Sequence, residues 1–261
     1  MEEGDPVTFT YRGEKLTYYT VKNPITGKFW LDRNIGATQV ADAYNDPDAY
    51  GHLFQWGRLD DGHQLRNSGT TPDQSPTDVP GHADFIKGHT DWRTTGNPDL
   101  WNSASDYTNL ILALLNLGFR VPTLAEWLAE YATWVSEDPA GAYASVLKIT
   151  VCGYRYFNTG SIYNVGTSGR YWSSTPYGTN TAYYVKVRPW GEQEITDEYK
   201  AYGMAMRLIY DEELAPPAPP DTPDFTDRNN YNGYLAFVQQ YIKNKINGTT
   251  PWKNPDGTLI E

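Results

Sequence analysis

The chain has 261 residues, enough for one large domain or one domain with an appendage. Its 32 acidic against 21 basic side chains give a formal charge of −11, the reverse of the basic footprint that duplex binding requires, so nucleic acid is not an expected partner. A lone cysteine, Cys152, excludes an internal disulfide, thiolate zinc clusters and paired-thiol redox chemistry, and no apolar run reaches the about 18 residues of a membrane helix.

Val7–Tyr11 and Leu16–Val21 alternate β-branched and aromatic residues around Arg12-Gly13-Glu14, which predicts a hairpin, with residues 1–14 forming an amino-terminal strand or arm. A turn at Asn23–Gly27 leads into a strand at Phe29–Asp32. From about 36 to 105 the pattern lapses into Gly, Asp, Asn, Pro and Thr around isolated aromatics such as Phe54, Trp56, Trp92 and Trp101, the mark of long irregular loops tied down by their own side chains.

Two helices are expected next. One spans Asp106 to Leu117. The other starts after Pro122, with Thr123 as cap and Glu126 closing a capping box, and carries Trp127, Leu128, Tyr131 and Trp134 on a helical period. Strands are expected at Val146–Arg155, Arg170–Ser173, Thr181–Arg188 and Ala205–Tyr210. The fold class is therefore α+β, with antiparallel strands from both ends and helices between them. A proline-rich spacer follows over 212–223. Within 224–261, Tyr231, Leu235, Val238, Ile242 and Ile246 form one apolar stripe of a helix too short to be stable alone, so oligomerisation or docking is expected there.

In order along the chain stand Phe29-Trp-Leu-Asp-Arg-Asn-Ile-Gly-Ala37, Ala49-Tyr-Gly-His-Leu-Phe-Gln-Trp-Gly-Arg58, Asp61-Gly-His-Gln64, Gly118-Phe-Arg-Val-Pro-Thr-Leu-Ala-Glu-Trp127, Tyr171-Trp-Ser-Ser174 and Tyr202-Gly-Met-Ala-Met-Arg207. These six blocks resemble the Fibrobacter succinogenes major paralogous domain over residues 15–211. That family is similar to the C-type-lectin-like fold shared by formylglycine-generating enzymes and by the variable proteins of diversity-generating retroelements. The resemblance implies paired terminal strands, two helices and a ligand face of long loops pinned by buried Trp and Tyr. Members commonly carry two cysteines suited to a disulfide; here Leu115 and Leu208 stand at the matching positions. Apolar packing in place of a bridge, together with Met1–Pro6 lacking the basic start and apolar stretch of a secretion signal, favours folding in a bacterial cytoplasm. A phage virion protein is made there.

Chemistry offers less. The related enzymes rely on active-site cysteines, whereas Cys152 sits in an apolar stretch that suits a buried thiol. Glu126 reads as a cap, and Glu130, four residues on, as a solvated acid. His52, His63, His82 and His89 lack the spacing of a preformed metal site, His52 and His63 being expected as loop anchors. Asp42, Asn45, Asp46 and Asp48 bear oxygens of the kind calcium takes but follow no calcium-loop pattern, so no cofactor is expected, calcium being the alternative.

Binding has positive support. Tyr171, Tyr177, Asn180, Tyr184, Lys186, Trp190, Glu192 and Tyr199 set aromatics beside polar residues, as a paratope does, and strand alternation puts Tyr183, Val185 and Val187 inward with Tyr184, Lys186 and Arg188 outward. The expected protein is a non-enzymatic phage virion module, a fibre, tail or capsid decoration, that recognises a host surface glycan or protein. It would contact other subunits or itself through the carboxy-terminal helix. The alternatives are a purely structural virion subunit and a bacterial cell-surface or secreted adhesin.

Overall fold

A computed structural model describes residues 1–98, 100–101, 117–189 and 195–212, all within the first of two compact units, Met1–Ala215. The helix expected over Asp106 to Leu117 (but for Leu117 itself), Leu115, the spacer and the 224–261 stripe lie outside the described residues.

The hairpin forms as its sequence predicts. β1 (Pro6–Tyr11) pairs with β2 (Glu14–Lys22) through a two-residue turn whose Arg12 and Gly13 both take positive φ, at 53° and 82°. Positive φ at both central positions matches the right-handed twist of the strands. Within the expected amino-terminal strand or arm over 1–14, Pro6–Tyr11 is strand, and its Val7, Phe9 and Tyr11 point into the core.

β2 continues onto β3 (Phe29–Leu31), β3 pairs with the last strand, β14 (Ile209–Tyr210), and β14 pairs with β7 (Phe119–Arg120). Both ends of the domain thus share one sheet, in the order β1-β2-β3-β14-β7. A second sheet holds β10 (Gly169–Pro176), β11 (Thr181–Val187) and β12 (Ile195–Tyr199). A third takes the order β4-β13-β8-β9 from β4 (Phe54–Gln55), β8 (Tyr154–Arg155), β9 (Ile162–Tyr163) and β13 (Gly203–Met204). β5 (Thr70–Thr71) and β6 (Phe85–Ile86) form the one parallel strand pair among the described residues.

Helix α1 (Leu124–Tyr131) begins as expected: Thr123 Oγ1 accepts from Glu126 N at 3.3 Å and Glu126 Oε2 accepts from Thr123 N at 2.8 Å. A second helix, α2 (Pro139–Ala144), was not expected; Asp138 caps it through Gly141 N. The strand expected over 146–155 shrinks to β8. Leu147, Ile149, Val151 and Cys152 are buried there as irregular chain. Their backbone is satisfied by scattered partners, Ile149 N by Ala142 O and Val151 N by Tyr44 O, rather than by a ladder. β12 was likewise missed.

The central sheet is covered on both sides. Trp172, Ala182 and Tyr184 enter one apolar cluster with Phe54, Trp56, Trp92 and Met204, whereas Tyr171, Val185 and Val187 enter another with Trp30, Trp127 and Ile149. Sheets packed on both faces lose the inside–outside alternation that a sequence advertises.

Tryptophans tie the irregular chain to this frame. The indole of Trp56 donates to Ser173 O, that of Trp92 to Trp56 O, that of Trp127 to Trp172 O and that of Trp172 to Phe54 O, at 2.8–3.1 Å. Each ring buries a large apolar area while its N–H satisfies a backbone carbonyl in a loop or sheet. Gln55 adds two carbonyls of its own, Ile86 O and Ala201 O.

Candidate functional site

Six aromatic rings form a continuous patch on the β8–β9 hairpin and the chain around β12 and β13. Tyr154 and Tyr163 sit directly opposite each other in the hairpin ladder, so both rings lie on one face, stacked with centroids 6.1 Å apart. Tyr156 and Phe157 follow in the connecting loop, Tyr199 ends β12, and Tyr202 lies between β12 and β13. Tyr202 lies underneath, 5.8, 5.6 and 5.0 Å from the rings of Tyr154, Tyr156 and Phe157, and Phe157 reaches Tyr199 at 5.1 Å. Tyr163 and Tyr199 are exposed, at 44% and 37%, while Tyr154, Tyr156 and Phe157 are half-buried.

The local chain is built to hold this shape. Gly160 takes φ 72° and its N–H bonds Tyr156 O at 2.8 Å, closing the loop. Gly153, at φ 74°, precedes β8 where a Cβ would meet Tyr163 O at 2.6 Å, so a side chain there would push the hairpin off its seat. From behind, Arg155 passes its guanidinium to Gly160 O, Leu65 O and Ser68 O.

One ion pair lies within the patch. Arg170, in β10, lays its guanidinium 3.7 Å from the Tyr154 ring centre and 5.2 Å from those of Tyr184 and Tyr202, and its Nη1 donates to Glu198 Oε2 at 3.2 Å. The cation is thus covered by π faces and neutralised by a carboxylate. Burial raises the Tyr202 phenol above its usual range, which keeps it neutral. The arrangement offers broad, rigid, uncharged ring faces with hydroxyls at their rims, suited to recognition.

The residues expected to bind a ligand divide. Tyr199 belongs to the patch. Tyr177 is 61% exposed at the β10–β11 turn, in ring contact with Tyr183, and Asn180 is exposed beside it; Lys200 N donates to Asn180 O, so this turn adjoins Tyr199. Lys186 is half-buried opposite Arg170 in the ladder. Trp190 and Glu192 lie outside the described residues.

Tyr171 and Tyr184 cannot face a ligand, being 0% and 2% exposed. The expected outward placement of Tyr184 fails because both faces of the β10–β11 sheet are packed. The Tyr171 hydroxyl serves the interior, donating to Thr150 O at 2.7 Å and accepting from Thr150 N at 3.1 Å. Tyr154, Tyr156, Phe157 and Tyr163 were missed; the signal was the aromatic run from Tyr154 to Phe157 followed by the Asn158-Thr-Gly160 turn.

Other candidate chemistry resolves into structure. His63 is fully buried, with Nδ1 2.7 Å from Asp61 Oδ1 and Nε2 accepting from Gln55 N, and burial lowers its pKa to about 3. His52 Nδ1 lies 2.5 Å from the Tyr11 hydroxyl. Glu130 is not the solvated acid expected but is buried, accepting from Asn23 Nδ2 at 2.6 Å and from Trp134 Nε1 at 3.3 Å; burial raises its pKa. Asp46 spends its carboxylate on Gln39 Nε2 and on the backbone N–H groups of Asp42 and Asp48. Among the described residues no cluster of three or more His, Cys, Asp or Glu is placed to hold a metal ion, and no helix is long and apolar enough to cross a membrane. Burial pushes the Cys152 thiol above its usual pKa, the reverse of what a nucleophile needs.

Comparison with protein-family models, with curated proteins and with solved structures finds no match to this chain.

Proposed function

We propose that residues 15–211 are a C-type-lectin-like binding module of a phage virion, and that the aromatic patch contacts a glycan or protein on the host surface. The observation that carries this reading is the patch itself: six rings in contact, two of them exposed, four of the six held on a hairpin braced by Arg155. Tyrosines fixed in this way present contact area at small entropic cost. The six ordered sequence blocks support the fold assignment, and the shared sheet of the terminal strands agrees with them. Leu208 packs in the core, in keeping with a chain that dispenses with a disulfide and folds in a reducing compartment. On this reading the patch acts by binding alone and performs no chemistry.

The test is binding of the labelled full chain to a panel of intact bacterial cells. Exposed aromatic anchors at the centre of an interface carry much of its energy. Tyr163→Ala with Tyr199→Ala should therefore weaken binding at least about tenfold. Binding that survives both changes, with the near-ultraviolet circular dichroism retained, would overturn the site. Tight association with other particle proteins and none with cells would instead make the patch a subunit contact.

A further inference from the structure

We infer that the free edge of β1 is a self-association surface on which a second copy of this chain pairs, antiparallel, about a twofold axis at Phe9. This rests on the hairpin register and not on the binding role of the aromatic patch.

The two-residue turn makes Tyr11 and Glu14 a hydrogen-bonded pair, and antiparallel ladders alternate. Phe9 and Val7 are then the next bonded positions, opposite Leu16 and Tyr18. Thr8 and Thr10 therefore turn their N–H and C=O groups away from β2, toward the edge of the sheet. β1 is terminal in the order β1-β2-β3-β14-β7, and neither threonine has a backbone hydrogen bond outside the hairpin ladder among the described residues.

Natural edge strands are usually shielded by an inward charge, a lysine, a bulge or a central proline. β1 has none of these. Although 20% of the chain is charged, Pro6–Tyr11 contains no charged residue, and its one proline stands at the first position, where it blocks nothing at Thr8 or Thr10. The side chains beside the edge are Thr8 and Thr10, exposed, backed on β2 by Thr17, whose hydroxyl bonds that of Thr8 at 2.9 Å, by exposed Tyr19 and, opposite Thr10, by exposed Lys15, which stands one strand in from the edge.

The edge is complementary to itself in one direction. With Thr8 opposite Thr10 of the other copy, the outward groups of all four threonines pair, giving about four backbone hydrogen bonds. The same arrangement lays the turn of one copy beside the amino-terminal end of the other. The turn and its flank carry Arg12, Glu14 and Lys15, a net positive charge, and the amino-terminal end carries Glu2, Glu3 and Asp5. Opposite charges therefore meet at both ends, whereas a parallel pairing would set like beside like.

Sedimentation of the full chain over a concentration series tests this. The wild type should associate, and Thr8→Lys with Thr10→Lys should lower the mass about twofold by setting charges on the edge. Thr8→Pro should do the same, since it deletes an outward N–H and leaves the β1–β2 bonds intact. Arg12→Glu should weaken association, and Glu3→Arg added to it should restore it, an outcome that misfolding would not produce. A wild type monomeric throughout, or a mass unchanged by the lysine pair with circular dichroism retained, would overturn the proposal.

Discussion

Arg207, fully buried before β14, donates from Nε and Nη2 to Asn34 Oδ1 at 3.1 and 3.0 Å, joining residues from the two ends of the domain. Its Nη1 meets Leu31 O and Leu147 O. Burial lowers the Arg207 pKa, yet a guanidinium stays charged, so every donor needs an acceptor. Asn34→Ala leaves a buried cation short of two bonds and should cost about 3 kcal/mol. The urea midpoint measures it, and a loss below about 1 kcal/mol would mean that the cation finds other acceptors.

Tyr171→Phe separates stability from recognition. Removing the hydroxyl strands Thr150 N, whose only hydrogen-bond acceptor among the described residues is that oxygen, so about 1–3 kcal/mol of stability should be lost. On the proposed binding role, attachment to cells should be unchanged below the melting transition. A binding defect without a stability defect would contradict the interior role of this side chain.

His63 supplies a pH dependence. Its folded pKa is depressed, to about 3, against about 6.5 in the unfolded chain. Between those values the unfolded state binds the extra proton. The stability contributed by the neutral ring is thus complete above pH about 6.5 and is lost as pH falls toward 3, at up to about 1.4 kcal/mol per pH unit. In His63→Gln the slope of unfolding free energy against pH between 6 and 4 should be shallower than in the wild type. Equal slopes would show that the ring is not buried neutral.

Thr123→Ala removes the cap of α1 and one acceptor for Glu126 N, and should cost about 1 kcal/mol, while Thr123→Ser should be close to neutral. Thermal unfolding of the three proteins distinguishes a cap from a methyl contact, since a methyl contact would make serine and alanine equally harmful.

The hairpin and α1 were legible because short-range physics decides them. Arg12-Gly13 between alternating apolar positions specifies a two-residue turn, and Thr123 with Glu126 specifies a helix start, each through atoms a few residues apart. The aromatic patch was legible only in part. Tyr199 was singled out, but its neighbours Tyr154, Tyr156 and Phe157 lie more than forty residues earlier, and no local pattern says which distant rings will touch.

The sequence by itself determined the turns, the helix cap, the absence of an internal disulfide and an aromatic content of 15%. Only the tertiary structure decided which aromatics face out. Alternation along β11 is the same whether one face of the sheet is wet or both are packed, and here α1 and the tryptophan-pinned loops cover both. That burial withdrew Tyr171 and Tyr184 from the surface and left Tyr163 and Tyr199 on it. It also turned Glu130 from an exposed helix acid into an interior acceptor for Asn23, since helix periodicity names a face but not what packs against it.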